Sequence, residues 1–444
     1  MDRQAQQELQ RWKAAERRKP LVVRGARQVG KTWLMKWFGR TAYENCAYAN
    51  FEGNERLRRL FSGDLDAARI ISGLAIETGT TIQPGRTLLI LDEVQEVPRA
   101  LTALKYLCED APEYHVIAAG SLLGVALHSG VSFPVGKVDF LDLHPMNLLE
   151  FIEALGERDL ADLCRRRDWD LIAAFRGKYE DLLRQYYFVG GMPEAVSAFR
   201  DSRDTGAARA IQERILAALE LDFSKHAPNA VVPRIRLLWN SIASQLSKEN
   251  RKFIYGLVRK GARARDYELA MSWLIDCGLI HKVTRVTKPN LPLKAYEDFK
   301  SFKLFALDMG LLAAMTSLDA RSLLEGNRIF TEFKGALTEQ YALQQLKSTS
   351  RMPLHYWSRD NGMAEIDFVI QHGGSIVPVE VKAQTNLQAK SLQSYRARYD
   401  PPLAVRTSLA PYRVERALAD IPLYGLPRLN DAIDDIFAQR KESA

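Results

Sequence analysis

A chain of 444 residues is longer than one ordinary hydrophobic core supports, so the length predicts roughly two to four domains. Its 47% hydrophobic and 26% charged residues are typical of a soluble globular protein, and no apolar run approaches the length of a membrane span. The net charge of +8 is compatible with a nucleic-acid partner but does not require one. Four scattered cysteines without a C-x-x-C pair argue against a zinc knuckle or a disulfide framework. Together with the polar first residues, they predict a cytoplasmic protein without a secretory signal.

An early segment fits the phosphate-binding pattern G-x-x-x-x-G-K-[ST] at every fixed position. An apolar triplet at residues 21–23 precedes it and a helix-capable run at residues 33–38 follows, which is the strand–loop–helix context that the pattern requires. Backbone N–H groups and the helix N-terminus favour phosphate in such a loop. Lys31 would reach the β- and γ-phosphates of ATP, and Thr32 would place its hydroxyl on Mg²⁺. The predicted ATP-binding residues are Gly25, Ala26, Arg27, Gln28, Val29, Gly30, Lys31, Thr32 and, from the next motif, Asp92.

A second apolar strand, at residues 87–91, ends in Asp92 and Glu93, which is the Walker B pattern. Asp92 would hold Mg²⁺ and Glu93 would orient the attacking water, because phosphoryl transfer needs placement and charge neutralisation more than covalent chemistry. A third strand, at residues 115–119, leads to Ser121, which is either a sensor of the γ-phosphate or an ordinary turn serine. Glu93, Lys31 and Ser121 are therefore the predicted catalytic residues.

Strands alternate with helical stretches in the first third of the chain. This alternation indicates an α/β fold, a P-loop NTPase with a doubly wound parallel sheet and its site at the carboxyl ends of the strands. We predict four regions: a P-loop ATPase core at 1–155, a helical lid or linker at 156–232, a mainly helical domain at 233–328 and a second α/β domain at 329–444.

Several further segments accompany these motifs, at residues 188–196, 221–226, 270–279 and 307–311. With the P-loop, the Asp92-Glu93 motif and Ser121, they resemble the prokaryotic AAA-type ATPases fused to domain of unknown function 4143. The resemblance covers nearly the whole chain. It implies ATP and Mg²⁺ as cofactors and ATP hydrolysis as the activity, while the biological role of that family is poorly defined.

One position departs from the family pattern, which has Gly-Arg after a Phe-Pro-x segment. This chain has Phe133-Pro134-Val135 followed by Gly136 and Lys137. Lysine offers a point charge where arginine offers a rigid fork, so an arginine finger at this position is in doubt and homo-oligomeric assembly stays open. Arg27, inside the loop, either faces phosphate or packs on the surface.

The middle of the chain reads as helix, helix, helix and hairpin between residues 234 and 286, an order that resembles a winged helix. Basic residues crowd the stretch before its third helix, as on a surface that binds DNA phosphates, although a solvated structural domain or a protein-binding module fits the same pattern. These residues are Lys248, Arg251, Lys252, Arg259, Lys260, Arg263 and Arg265.

Gly190 and Gly191 precede Met192 and Pro193 between two long helical stretches. Glycine and proline are typical of turns, so this segment is expected to reverse the chain tightly and not to contact a ligand.

The last region contains a helix acid, Glu339, then Asp367 at the start of a strand, then Glu380-x-Lys382 on the next strand. This order resembles the PD-(D/E)xK nuclease core. Asp367 and Glu380, with Glu339 completing the shell, would bind Mg²⁺ or Mn²⁺ through oxygen, and Lys382 would activate water or stabilise the phosphorane. The alternatives are a fold retained without cleavage, or an ion pair between Glu380 and Lys382.

The sequence thus predicts an ATPase coupled to a DNA-related or partner-binding activity of the C-terminal half. Two other hypotheses stay open. One is an ATP-switched module that binds DNA or a protein without cleavage. The other is an ATP-regulated, metal-dependent DNA nuclease.

Overall fold

The computed structural model describes residues 1–121, 134–246, 252–320, 331–349, 353–360, 362, 364–383 and 389–442, with backbone alone for residues 331–334. The chain forms two compact units. The first comprises Asp2–His144 and Ser272–Leu279, and the second comprises Pro145–Met271 and Ile280–Ala444.

The first unit is built on a five-stranded sheet with the order β2-β3-β4-β1-β5, and every neighbouring pair is parallel. Its strands are β1 Leu21–Arg24, β2 Asn45–Asn50, β3 Thr87–Asp92, β4 His115–Ala119 and β5 Asp139–Asp142. All six residues of β3 and all five of β4 are buried, as expected for central strands covered on both faces. The predicted parallel α/β sheet is confirmed in this unit. Because β4 lies between β1 and β3, the residues that follow these three strands meet at one edge.

Helices of this unit pack against the sheet. They are α1 Ala5–Ala14, α2 Lys31–Ala42, α3 Glu55–Ser62, α4 Ala67–Thr78 and α5 Pro98–Asp110. Asn54 and Asp66 cap α3 and α4 by accepting hydrogen bonds from backbone N–H groups of the first turn. Leu57, Ile70 and Leu104 lie fully buried in the apolar core that these helices share with the sheet.

The second unit begins with a group of helices and continues into a large sheet. The helices before the sheet are α6 Leu148–Ala154, α7 Arg158–Arg166, α8 Trp169–Ala174, α9 Arg176–Val189, α10 Pro193–Ser202, α11 Thr205–His226, α12 Val232–Leu246, α13 Tyr255–Val258 and α14 Ala264–Asp276, whose end belongs to the first unit. The helices after the first two strands are α15 Met309–Met315, α16 Thr331–Thr349, α17 Lys390–Tyr399 and α18 Leu429–Glu442.

The sheet of the second unit has eight strands in the order β12-β13-β11-β10-β9-β8-β6-β7. Its strands are β6 Ile280–Val286, β7 Glu297–Ala306, β8 His355–Ser358, β9 Glu365–His372, β10 Ser375–Val381, β11 Ala404–Ser408, β12 Arg413–Glu415 and β13 Leu418–Pro422. The hairpin of β6 and β7 follows α12, α13 and α14 in the order expected of a winged helix. However, β6 also pairs in parallel with β8, so the hairpin is part of the large sheet. The winged-helix interpretation and the four region boundaries stay predictions.

The Gly190-Gly191 segment lies where three backbone segments of the second unit approach closely. A Cβ on Gly191 would lie 2.1 Å from the carbonyl oxygen of Met146, and one on Gly190 would lie 2.2 Å from Oδ1 of Asp308. The backbone N–H of Gly191 donates to Oδ2 of Asp308 at 2.7 Å. Asp308 is fully buried and also caps α15 by accepting from Gly310 and Leu311. The glycines therefore permit a close backbone crossing.

Among the helices in the described ranges, none is both long and apolar enough to cross a membrane.

Candidate functional site

The phosphate-binding loop joins β1 to α2 and depends on left-handed backbone. Gly30 has a φ of 95° and Gln28 a φ of 65°, and Gly25 has a φ of 149°. A Cβ on Gly25 would lie 2.2 Å from the carbonyl oxygen of Leu143, so only glycine fits there. The loop pattern in the sequence thus corresponds to a tight turn that leads directly into the first residue of α2.

Lys31 is held inside this loop. Its Nζ donates to the carbonyl oxygens of Gly25 and Ala26, both at 2.8 Å. Burial lowers the pKa of Lys31 to about 8, an effect that Glu93 and Asp92 oppose and that nearby Arg27 reinforces. Phosphate oxygens placed at the loop would offer this amine anionic acceptors, which favour its charged form.

Asp92, at the end of β3, contacts the phosphate-binding loop and its helix through Thr32. Its Oδ2 accepts from the hydroxyl of Thr32 at 2.7 Å and from the hydroxyl of Tyr48 at 3.0 Å, and its Oδ1 accepts from the backbone N–H of Glu93 at 3.1 Å. The hydroxyl oxygen of Thr32 and the carboxylate of Asp92 are hard oxygen donors, the type that Mg²⁺ prefers. The pair therefore fits the metal that the loop implies.

Tyr48 is a site residue that sequence reasoning missed. The sequence predicts only that it lies in a further strand near residues 48–51, whereas the parallel pairing of β2 with β3 places it two residues before the partner of Asp92. A polar-tipped aromatic residue on a strand beside Walker B is the signal that could have drawn attention to it. Its hydroxyl holds the same carboxylate oxygen that faces Thr32.

Glu93 adopts left-handed backbone, with a φ of 55°, directly after β3. Its carboxylate accepts from the side-chain amide of Gln95 at 2.5 Å and from the hydroxyl of Ser121 at 3.2 Å. The pairing of Asp92 with Ala119 brings the end of β4, and hence Ser121, beside Glu93. Gln95 is a second contact that the sequence analysis did not single out.

The two other basic candidates of this unit have different surroundings. Arg27 is half-buried and acts electrostatically on Lys31. Lys137 is half-exposed and pairs with Glu109 at 2.7 Å, while Phe133 of the preceding segment lies outside the described residues. Lys137 therefore has an acidic partner within its own unit.

Of the four predicted nuclease residues, Glu339 lies on α16, Asp367 on β9 and Glu380 on β10, and Lys382 directly follows β10. The turn at Gly373 and Gly374 joins β9 to β10 as an antiparallel hairpin. Nζ of Lys382 pairs with Oε1 of Glu380 at 2.6 Å, and Oδ2 of Asp367 accepts from the backbone N–H of Val381 at 2.8 Å.

Glu339, the remaining predicted ligand, is fully buried on α16, and its Oε1 accepts from Nζ of Lys303 of β7 at 2.8 Å. Within the part of the chain that the structure describes, no group of three His, Cys, Asp or Glu side chains is arranged to hold a metal ion.

Comparison with known families supports the P-loop site of the first unit. Residues 17–152 match the AAA domain, residues 180–322 match a domain of unknown function (DUF8612), and residues 334–425 match a domain of unknown function (DUF4143). The fold and the P-loop site are thus those of a P-loop ATPase, in a segment similar to the AAA domain that precedes a segment similar to DUF4143.

Individual relatives span most of the chain. Uncharacterized proteins of Mycobacterium bovis and Mycobacterium tuberculosis are each 25% identical over 383 residues, which are 84% of this chain and 72% of the relative. A solved structure, a Walker-type ATPase of Pyrococcus abyssi, covers 71% of this chain and 95% of its own at 15% identity, with a TM-score of 0.43.

Proposed function

We propose that the first unit binds ATP with Mg²⁺ and hydrolyses it at the carboxyl ends of β1, β3 and β4. The observation that carries this proposal is the convergence of Lys31, Thr32, Asp92, Glu93 and Ser121 at one edge of the parallel sheet. The family match of this segment to the AAA domain supports the same reaction.

Each side chain has a distinct part in the proposed reaction. Lys31 leaves the loop carbonyls for the β- and γ-phosphates. Thr32 and Asp92 would hold Mg²⁺, which would supply charge neutralisation for the phosphates. Glu93 orients the attacking water and accepts its proton. Ser121 and Gln95 position the carboxylate of Glu93, because both donate hydrogen bonds to it.

Phosphate release from ATP by the purified chain tests the proposal. We expect turnover that requires Mg²⁺ and falls at least about 10²-fold in Lys31→Ala, since one preorganised charge at the transferred group is lost. Lys105→Ala, at an exposed position on α5 of the same unit, is the control and should retain turnover. Equal activity in wild type and Lys31→Ala would assign the phosphate release to a contaminant.

We further propose that ATP turnover acts on a binding activity of the second unit, with nucleic acid as the partner. Support comes from a basic patch whose residues are all exposed: Lys252, Arg259, Lys260, Arg263 and Arg265. The predicted contributors Lys248 and Arg251 lie outside the described residues. Clustered exposed cations are suited to phosphate contacts, which dominate nucleic-acid affinity.

Neutralising the basic patch should weaken DNA binding uniformly across sequences. In Arg259→Ala/Lys260→Ala/Arg263→Ala, we expect the affinity to fall about 10-fold or more and the salt dependence of binding to become shallower, because phosphate contacts are lost. Fluorescence anisotropy with labelled duplexes over a salt series measures both. The control Lys178→Ala/Arg200→Ala/Arg398→Ala removes the same charge from exposed positions of the same unit. An unchanged affinity and salt slope in the first variant would reject the nucleic-acid proposal and favour a protein partner.

The nuclease hypothesis is the second candidate for the same unit. It rests on the order of Glu339, Asp367, Glu380 and Lys382 and on the hairpin that carries Asp367 and Glu380 and ends directly before Lys382. Incubation of the chain with DNA and Mg²⁺ or Mn²⁺ distinguishes it from a module that binds without cleavage. Cleavage that disappears in Asp367→Ala would support a nuclease.

A further inference from the structure

A buried lysine lies among the carboxylates of the predicted metal site. The side chain of Lys303, on β7, is 0% exposed, and its Nζ donates to Oε1 of Glu339 at 2.8 Å and to Oε1 of Glu365 at 2.6 Å. The same Nζ lies 4.9 Å from the ring centroid of Tyr356. Sequence reasoning missed Lys303 because it precedes Glu339 by 36 positions and lies on a strand assigned to a different region.

Lys303 has the carboxylate partners that a buried ammonium group requires. An isolated buried ammonium is costly, and a paired one is tolerated only with close, well-directed acceptors. Lys303 has two, one of them from a glutamate whose side chain is also 0% exposed. Its charge also reaches Glu380. Burial first and Asp367 second raise the pKa of Glu380 to about 7, whereas Lys382 and Lys303 oppose that rise.

The predicted metal ligands are therefore already engaged by protein groups. Glu339 binds Lys303, Glu380 binds Lys382, and Asp367 accepts a backbone N–H from the next strand. Lys303 has no access to solvent and occupies Oε1 of Glu339, the carboxylate that would complete the shell. Among the described residues, no group of three His, Cys, Asp or Glu side chains is arranged to hold a metal ion. The residues that are present therefore do not fit a complete metal shell.

We infer that Lys303 is the resident cation of this acidic site, takes the place of a divalent metal, and fastens β7 to α16 and β9. The lysine lies in the segment 180–322 that matches one family model, and both glutamates lie in the segment 334–425 that matches the next. The Lys303–Glu339–Glu365 cluster is thus an internal ionic lock between them. This inference does not depend on ATP hydrolysis, and it predicts that the nuclease assay is negative.

Metal binding tests the inference directly. We use nucleotide-free full-length chain carrying Asp92→Asn, which removes the metal ligand of the first site, and titrate Mn²⁺ while free Mn²⁺ is followed by electron paramagnetic resonance. The expected result is no saturable Mn²⁺ site. One saturable Mn²⁺ per chain that disappears on adding Asp367→Asn or Glu380→Gln would overturn the inference.

Stability tests the lock. Lys303→Met should lower the melting temperature by roughly 10 °C, because it leaves Glu339 buried without its cation. Lys300→Met, at an exposed position of the same strand, should leave it unchanged.

A double-mutant cycle separates the ion pair from simple packing. Glu339→Gln should also destabilise, and Lys303→Met/Glu339→Gln should lose less than the sum of the single variants, because no buried charge is left unmatched between them. Additive losses would overturn the lock. If Lys303→Met does not fold, the double variant Lys303→Met/Glu339→Gln still decides the matter. The inference requires the double variant to be more stable than Lys303→Met, so a double variant that also fails to fold would overturn the lock.

Discussion

Replacing Glu93 by glutamine should stop ATP turnover while ATP stays bound. General-base contributions are about 10²–10⁴-fold, so we expect kcat to fall by at least about 10²-fold. The amide of glutamine is close in size to the carboxylate but cannot accept the proton of the attacking water. The hydroxyl of Thr32 and the carboxylate of Asp92 are not altered by the change, so Mg²⁺ and nucleotide should still bind.

Two measurements separate this outcome from misfolding. Phosphate release gives kcat, and the nucleotide that stays with the protein after gel filtration gives the trapped complex. Glu96→Gln is the matched control, because Glu96 is a half-buried glutamate of the single helical turn Val94–Glu96 that follows Glu93. Wild-type turnover in Glu93→Gln would contradict the role proposed for this carboxylate.

The second large effect is expected at Gly191, in the unit that does not carry the P-loop. Alanine there would place a Cβ 2.1 Å from the carbonyl oxygen and 2.8 Å from the nitrogen of Met146, and these are backbone atoms. They are also paired, since the N–H of Met146 donates to the carbonyl of Gly191 at 2.7 Å. We expect Gly191→Ala to lower the free energy of unfolding by about 3 kcal/mol or more, at or above the usual cost of overpacking.

Chemical denaturation followed by tryptophan fluorescence and circular dichroism measures this loss. Gly177→Ala is a sharp control, because Gly177 is exposed in α9 and a Cβ there would meet nothing within 4 Å. That variant should gain roughly 0.5–1 kcal/mol, since alanine is the better helix former. An unfolding midpoint of Gly191→Ala equal to that of wild type would contradict this prediction, because it would show that a Cβ fits at the backbone crossing with Met146.

The ATPase site could be predicted in large part because its chemistry is local in sequence. A loop with fixed glycines and an apolar strand ending in acids specify their own geometry, and the parallel sheet then brings their ends together. Tyr48 could not be predicted in the same way, because its contact with Asp92 depends on the register between β2 and β3. The hydrogen bond from Gln95 to Glu93 depends on a left-handed residue that the sequence does not reveal.

The C-terminal site shows where sequence order is not enough. Four residues in a familiar order predict a nuclease site with three metal ligands, which stays a prediction, and the hairpin that carries Asp367 and Glu380 is present. The ammonium of Lys303 comes from a strand earlier in the chain, and only the pairing of β6 with both β7 and β8 brings that strand into the same sheet. Nothing local to Lys303 distinguishes it from the other lysines of the same segment.

The pairing of β6 with β8 also limits which recombination events between genes can give a folded chain. The strand β6 belongs to the segment that matches DUF8612, and β8 belongs to the segment that matches DUF4143. Recombination that removed one segment alone would leave unpaired N–H and C=O groups along a strand that is interior in the intact sheet, and such an exposed edge promotes aggregation. We therefore expect the two segments to be transferred together in recombination. In a library of shuffled or truncated chains, soluble variants should be found only where both β6 and β8 are retained.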